Sequence, residues 1–529
     1  MLKEKKYQIF ILFWMKYRSR VENMEIGQVV SASVLDGIEI KLNIENPENL
    51  KVGYPVIVEG KEYRFYCVVE DIYTPKSKVI ERIAGLELEK TIPIEAHETP
   101  YGIPLSCKAK LKPICLIDRN NNLREPETIP PYLAKVRLAI KEDVEKVYSP
   151  SEKTLPLGNL RGVKFEVGVD FERLTEKPFA IFGRTGVGKS ILCKIVCNSI
   201  IAKDVGSVFI FDMHQEYGTF SKTDNTPGLK YFFPDKVEVF TLDPEENKEA
   251  FPFLIDQKNI SPSDIIVAFQ DLSESMIDAL YVIERKRGEK DLVTAIKEAD
   301  PDEYADKIHT SSLLALKRRI ERLKRFKFIK PCVNDSFSYI LSLIRTKKSI
   351  VLDFGRYGTN QMAYLFIANI IARRLYSIYT ESPKTLPKLI LFLEEAHKFL
   401  DPKISNYTIF DKLARETRKF NLILAIVDQR PSNIDEDVRS QLANRLILSL
   451  KEPNDVSASL SGVPDRPTWE RIVSTMPPRN VLLIGDAIAI PTVVEVLEYT
   501  IPNMKRILLE SKLSTEEINR IVERIDDIF

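Results

Sequence analysis

Several things are scarce in this chain of 529 residues, and each scarcity narrows what it can be. Its six cysteines (Cys67, Cys107, Cys115, Cys193, Cys197, Cys332) are scattered, and no two fall in a C-x-x-C pair. That excludes a zinc module and a disulfide framework, and it predicts an intracellular, reduced protein. Cys193 and Cys197 share a helix face with no histidine nearby in sequence, which is expected of core packing. Charge of one sign is also lacking: the formal net charge is +1, so any nucleic-acid surface has to be a local patch rather than a global field. Glutamine is rare beside Lys, Glu and Ile, a weak lean towards a heat-adapted source. No apolar run reaches the length of a bilayer. The one candidate, Ile9-Phe10-Ile11-Leu12-Phe13-Trp14 between basic flanks, is too short to span and carries no cleavage site. Residues 1–23 are read as an extension without stable membrane insertion, with an interfacial anchor as the alternative, and the protein as cytoplasmic.

What is present centres on Gly183-Arg184-Thr185-Gly186-Val187-Gly188-Lys189-Ser190, followed by Ile191. This fits G-x-x-x-x-G-K-[ST] at every constrained position. The apolar run 179–182 before it reads as a strand, and 191–201 after it as a helix, the order a phosphate cradle needs. Glycines let the backbone wrap a phosphate, the helix N-terminus attracts its charge, and Lys189 reaches the outer phosphates. The Ser190 hydroxyl is placed to hold Mg²⁺. The chain is expected to bind a nucleoside triphosphate.

The rest of the sequence divides around this loop. Residues 24–117 alternate and turn like a small β-barrel, with strands at 29–34, 38–42, 55–59 and 63–69, a strand pair at 105–117, and a hairpin signal at Asp36-Gly37. Residues 118–160 are polar and rich in proline and read as a linker with a helix near 136–148. An α/β core is expected over 161–249 and 346–500, because apolar strands alternate with helices as in a mainly parallel sheet covered on both faces. Residues 250–345 read as a helical insertion and 501–529 as a helical tail. Within the insertion, 313–330 is amphipathic. Leu313, Leu316, Ile320 and Leu323 form one stripe, and Lys317, Arg318, Arg319, Arg322, Lys324, Arg325 and Lys327 form the other face. That face fits either an ordinary solvated surface or one that faces nucleic acid or nucleotide.

Further residues carry chemistry. The strand 389–393 ends in Glu394-Glu395, at the edge where α/β sheets bind ligands. The first carboxylate is expected near the metal shell and the second, Glu395, to activate water. Asp212, His214 and Glu216 follow the strand at 208–211, with Asp212 a candidate for a metal-bound water. Gln429 follows the strand at 421–427 and is placed to sense the γ-phosphate. Arg415 and Arg418, three apart on a helix, are candidates to reach a neighbouring subunit. The guanine-reading pattern Asn-Lys-x-Asp is missing after 421–427, which favours ATP.

Together these motifs resemble the HerA-type ATPases of the HerA/FtsK group. Met24-Glu25-Ile26-Gly27-Gln28-Val29 is similar to the start of that family's N-terminal barrel. Asp212-Met213-His214-Gln215-Glu216-Tyr217 resembles its D-x-H-x-E-Y signature, and Glu394-Glu395-Ala396-His397 its Walker B ending. Arg415-Glu416-Thr417-Arg418-Lys419-Phe420 resembles R-E-G-R-K-F, Gln429-Arg430-Pro431 its Q-R-P, and Gly485-Asp486-Ala487-Ile488 its G-E-A-I. Thr417 and Asp428 depart from the commoner Gly and Ser. The resemblance implies a homo-hexameric, archaeal-type ring that moves on double-stranded DNA with ATP and Mg²⁺, beside a NurA-type nuclease in end resection. It implies Arg418 as a finger acting in trans, Arg415 as its neighbour in that interface, and Gln429 as the sensor. Two other readings stay open: a membrane-linked conjugation or secretion motor, and an ATP-gated scaffold for a nuclease.

Overall fold

The computed structural model describes residues 25–44, 47–75, 107–148, 154–304, 306–331, 334–382, 385–402, 404–416 and 419–526. The N-terminal extension lies outside them. Six antiparallel strands close a barrel in the order Gly37–Leu42, Glu25–Ser33, Lys135–Leu138, Pro55–Glu59, Arg64–Tyr73, Lys108–Ile117, the last pairing back to the first. Alternation dictates the interior: Ile38, Ile40, Val56, Val58, Cys67 and Leu111 are fully buried. At the Asp36-Gly37 turn, Gly37 takes φ +88°, and a Cβ there would lie 2.7 Å from the Leu111 carbonyl oxygen, so glycine is required.

Two expectations are corrected here. Of the strand pair read at 105–117, the described residues 107–117 hold a single strand, Lys108–Ile117. The closing strand Lys135–Leu138 falls in the stretch read as linker, and the helix near it begins only at Lys141. The barrel is not free-standing. Ile57 and Tyr66 point outward into the core's apolar cluster. Lys112 meets Asp465 at 2.6 Å, and Arg471 meets Glu70 at 3.0 Å.

The core is a sheet of twelve strands. In spatial order they are Phe251–Pro252, Val237–Thr241, Ser349–Asp353, Ser207–Asp212, Leu389–Glu394, Leu422–Asp428, Phe179–Phe182, Asn444–Leu448, Asn480–Ile484, Thr492–Val496, Thr154–Leu160 and Glu166–Asp170. The first eight run parallel. Their central members are buried at every position, which is why they read as unbroken apolar runs. The last four are antiparallel. Thr154–Leu160 thus belongs to this sheet and not to a linker. The hairpin read around Gly485-Asp486 exists, but its second strand starts at Thr492 and its connection is longer than two residues.

The stretch 250–345 holds the helices Pro262–Ala268, Glu274–Lys286, Leu292–Glu298, Thr310–Ile320 and Ser336–Arg345, but it begins with Phe251–Pro252 of the core sheet and also holds the strand pair Ile255–Asp256 and Ile329–Lys330. The basic amphipathic segment is not one helix: it is α-helical to Ile320 and then 3₁₀ over Glu321–Arg325. The C-terminal segment read as a helical tail holds two helices, Ile501–Leu509 and Thr515–Asp526, packed on the core. They bury Ile507, Leu508, Ile518 and Ile525 in the same cluster as the helix Lys189–Ala202.

Candidate nucleotide site

The phosphate loop sits at the middle of the sheet, where Phe179–Phe182 lies between Leu422–Asp428 and Asn444–Leu448. Both neighbours fix its first residues. The Gly183 amide donates to the Asp428 carbonyl at 3.1 Å and the Arg184 amide to the Ser449 carbonyl at 3.2 Å. Gly186 and Gly188 take φ +78° and +98°, left-handed values that leave the loop's N–H groups facing one hollow. Gly188 caps the helix Lys189–Ala202, whose first amides have no partner within the helix. Arg184, Thr185, Lys189, Ser190 and Ile191 line this hollow, a cavity of about 580 Å³. Val187 is buried beneath it, its carbonyl accepting from the Arg479 amide at 3.0 Å. A second cavity of about 620 Å³ lies near Lys141, Thr154 and Arg506, but no phosphate loop opens onto it and Arg506 is spent on Glu166.

Glu394, Glu395, His214, Glu216 and Gln429 stand across the same cavity. Glu394 is 8 % exposed. Its Oε1 accepts from the Tyr217 hydroxyl at 2.5 Å, and its backbone carbonyl accepts from Tyr364 at 2.5 Å. Its Oε2 is buried without a partner. Burial, only partly opposed by the Tyr217 bond, pushes the carboxyl up to about 8. Glu394 lines the same cavity as Lys189 and Ser190.

Glu395 takes φ +49°, an uncommon backbone conformation for a non-glycine residue. Gln429 holds it: Nε2 donates to both Glu395 oxygens at 3.4 Å, while Gln429 Oε1 accepts from the Thr185 hydroxyl at 2.7 Å. Gln429 therefore spans from the phosphate loop to the second carboxylate. Behind them the fully buried Asp428 accepts from the His397 amide at 2.7 Å, and its Oδ2 lies 3.0 Å from His397 Nδ1. For both groups burial opposes charge and the pairing outweighs it, so His397 is raised and Asp428 lowered. His397 Nε2 is 3.8 Å from Glu395 Oε2.

Asp212 is corrected. Its carboxylate turns away from the cavity to fasten the following loop, accepting from the amides of Glu216 at 2.9 Å, Tyr217 at 2.8 Å and Gly218 at 3.2 Å. It is 1 % exposed, and burial raises it to about 6 despite those amides. Asp212 thus positions Tyr217, and through it Glu394, rather than holding a metal-bound water. Arg415, expected at a subunit interface, is on the surface of this chain. It lies on Ile409–Glu416, tied within its own chain to Asp411 at 2.9 Å and Asp437 at 3.2 Å, and does not line the cavity. Arg418 lies outside the described residues.

Other groups carried no pattern to find them by. Lys194, one turn into the phosphate-loop helix, is fully buried and donates to Asp224 and Thr226, both at 2.7 Å. Asp224, thirty residues away in sequence, lines the cavity mouth. The pair ties the loop after Asp212 to the helix that carries Lys189.

A phosphate loop, a buried strand-end carboxylate, and a second carboxylate held by the Gln429 amide define a P-loop nucleoside-triphosphatase site. Residues 155–375, which include the phosphate loop and the Asp212 signature, match the family described as Helicase HerA, central domain. The likeness to curated relatives runs further along the chain. The DNA double-strand break repair helicase HerA of Sulfurisphaera tokodaii is 24% identical over 536 residues, covering 94% of this chain and 96% of the relative. The protein of that name from Saccharolobus solfataricus is 26% identical over 491 residues, covering 89% and 92%. Among solved structures, the plasmid coupling protein TrwB with a non-hydrolysable GTP analogue is 12% identical, with a TM-score of 0.48, covering 69% of this chain and 94% of that one. VirB4 of Thermoanaerobacter pseudethanolicus is 14% identical, with a TM-score of 0.46, covering 66% and 97%.

Proposed function

We propose that this protein is an ATP-driven motor of duplex DNA, a translocase or helicase. It would assemble as a hexameric ring in the cytoplasm and act with a NurA-type nuclease in resecting broken ends. The observation that carries this reading is the bridge from Thr185 through Gln429 to Glu395, a hydrolytic arrangement inside a chain with HerA relatives along most of its length. Lys189 and the loop amides would hold the β- and γ-phosphates. The residues present fit Mg²⁺: the Ser190 hydroxyl and the unpaired Glu394 Oε2 are hard oxygen donors on one cavity, and phosphates supply the remainder. When bound, the ion would neutralise charge on the phosphates. Glu395 would take the proton of the attacking water, and Gln429, in contact with both loop and base, would report whether a γ-phosphate is present. Arg418 would complete the site of the neighbouring subunit.

Two variants in one hydrolysis assay test this. Glu395→Gln should bind ATP as the parent does and hydrolyse it about 10²–10⁴ times more slowly; a normal rate would remove Glu395 from the mechanism. Arg418→Ala mixed with parent subunits should depress activity more than in proportion to its fraction, whereas strict proportionality would contradict a shared site.

A further inference from the structure

The helix Thr310–Ile320 and the 3₁₀ turn Glu321–Arg325 sit on the insertion, away from the residues that line the nucleotide cavity. Between residues 310 and 330 the sequence holds eight Lys or Arg and a single acid, Glu321. Net charge over the whole chain is only +1, so this is segregation and not general basicity. The apolar side, with Leu313, Leu316, Ile320 and Leu323, is buried against the insertion. Three of the cations are neutralised at home: Arg319 by Asp271 at 2.8 Å, Lys324 by Glu321 at 2.5 Å, and Lys327 by Glu245 at 3.1 Å.

Of the five others, Lys317 and Lys330 flank a set of three arginines, Arg318, Arg322 and Arg325. All three are exposed, and none makes an ion pair or side-chain hydrogen bond among the described residues. Their spacings are four and then three. The step of three from Arg322 to Arg325 lies within the 3₁₀ turn, where side chains three apart eclipse, and the step of four from Arg318 crosses from the α-helix into that turn at Ile320, so Arg318 projects within about a quarter turn of the other two on the exposed side. The row is about 10–14 Å long, from rises of roughly 1.5–2 Å per residue. Duplex DNA offers about one phosphate charge per 1.7 Å of axis, so several lie within that reach. Guanidinium forks match phosphate oxygens two to two, and three in line suit a linear polyanion better than a single carboxylate.

We infer that this arginine row is a grip on the phosphate backbone of duplex DNA. The inference rests on the DNA reading proposed above and adds a place for the contact. The test measures binding of the full-length protein to a fluorescent linear duplex across a salt series, with a non-hydrolysable ATP analogue present. The variants are R318E/R322E/R325E and R318Q/R322Q/R325Q, with R285E as a control on an exposed arginine of another helix. Each lost phosphate contact should flatten the slope of log affinity against log salt by about 0.9, so the triple glutamine variant should lose about 2–3 units of slope. At low salt its affinity should fall at least about tenfold, and further for the glutamate variant. ATP hydrolysis without DNA should stay at the parent rate, which shows that the fold is intact. If the parent binds duplex and the triple variants keep its slope and affinity, the grip is overturned while the DNA reading stands. If the parent binds no duplex even at the lowest salt, the DNA reading fails and the grip with it.

Discussion

Asp428 stands at a position where the resemblance leads one to expect serine, and it changes what the residues around it do. It is fully buried, yet it stays charged because His397 gives it both an amide and a ring nitrogen. The pair should stabilise the fold within a defined pH window. His397 is raised above its ordinary value of about 6.5, so its contribution is complete below that pH and is lost as pH rises through the raised value. Asp428 is lowered below its ordinary value of about 3.9, so its contribution is complete above that pH and is lost as pH falls through the lowered value. Asp428→Asn should therefore cost most between about pH 4 and 6.5, on the order of 3–5 kcal/mol for breaking a buried pair, and less at higher pH. Chemical denaturation of both proteins at several pH values checks this; a cost that grew from pH 6 to 9 would contradict it.

Individual residues show what a sequence does and does not disclose. The phosphate loop could be read without a structure because its chemistry fixes both residue types and spacing over eight consecutive positions. Glu394 and Glu395 could be read because an apolar strand ends where they begin. Asp212 was misplaced for a physical reason: a strand end locates a carboxylate, but its direction is set by the backbone that follows. Here that backbone curls so that three amides point back at it. The Lys194–Asp224 pair left no trace, since nothing in a helical lysine predicts a partner thirty residues on.

Among the elements, the least readable was the barrel's closing strand. Lys-Val-Arg-Leu, at 135–138, is short and half charged, and its partners lie far off in sequence at Glu25–Gln28 and Val56–Val58. Only closure of the barrel makes it a strand. The C-terminal helices were read as a tail because charge dominates their sequence. Their hydrophobic stripe nevertheless covers the phosphate-loop helix and Leu229–Phe232, with Ile507, Leu508, Ile518, Ile521 and Ile525 in the cluster. Burial of each such side chain stabilises by about 1.5–3 kcal/mol, so removing them all costs on the order of 10 kcal/mol, comparable with the whole stability of a typical domain. A chain ending at Thr500 should melt far below the parent or fail to stay soluble, as thermal unfolding would show. An unchanged melting temperature would mean that these helices are dispensable cover.

At the level of the whole molecule, the barrel, the insertion and the last helices all pack on one sheet whose central strands carry the nucleotide loop. Glu70 of the barrel reaches Arg471 beyond the sheet, and Lys112 reaches Asp465, so the barrel is joined to the core through charged contacts as well as apolar ones. Tyr217, Glu394, Glu395 and Gln429 then link the cavity to strands that cross the core. Such a layout suits a motor in which the state of the phosphate is felt at a distance. The decisive measurement is ATP hydrolysis with and without linear duplex DNA, at low and at near-physiological salt. A DNA-gripping motor should hydrolyse ATP much faster with duplex present, and the stimulation should weaken as salt rises, because the contacts are to phosphates. Robust hydrolysis indifferent to DNA at both salts would contradict the motor and point to a protein partner as the trigger.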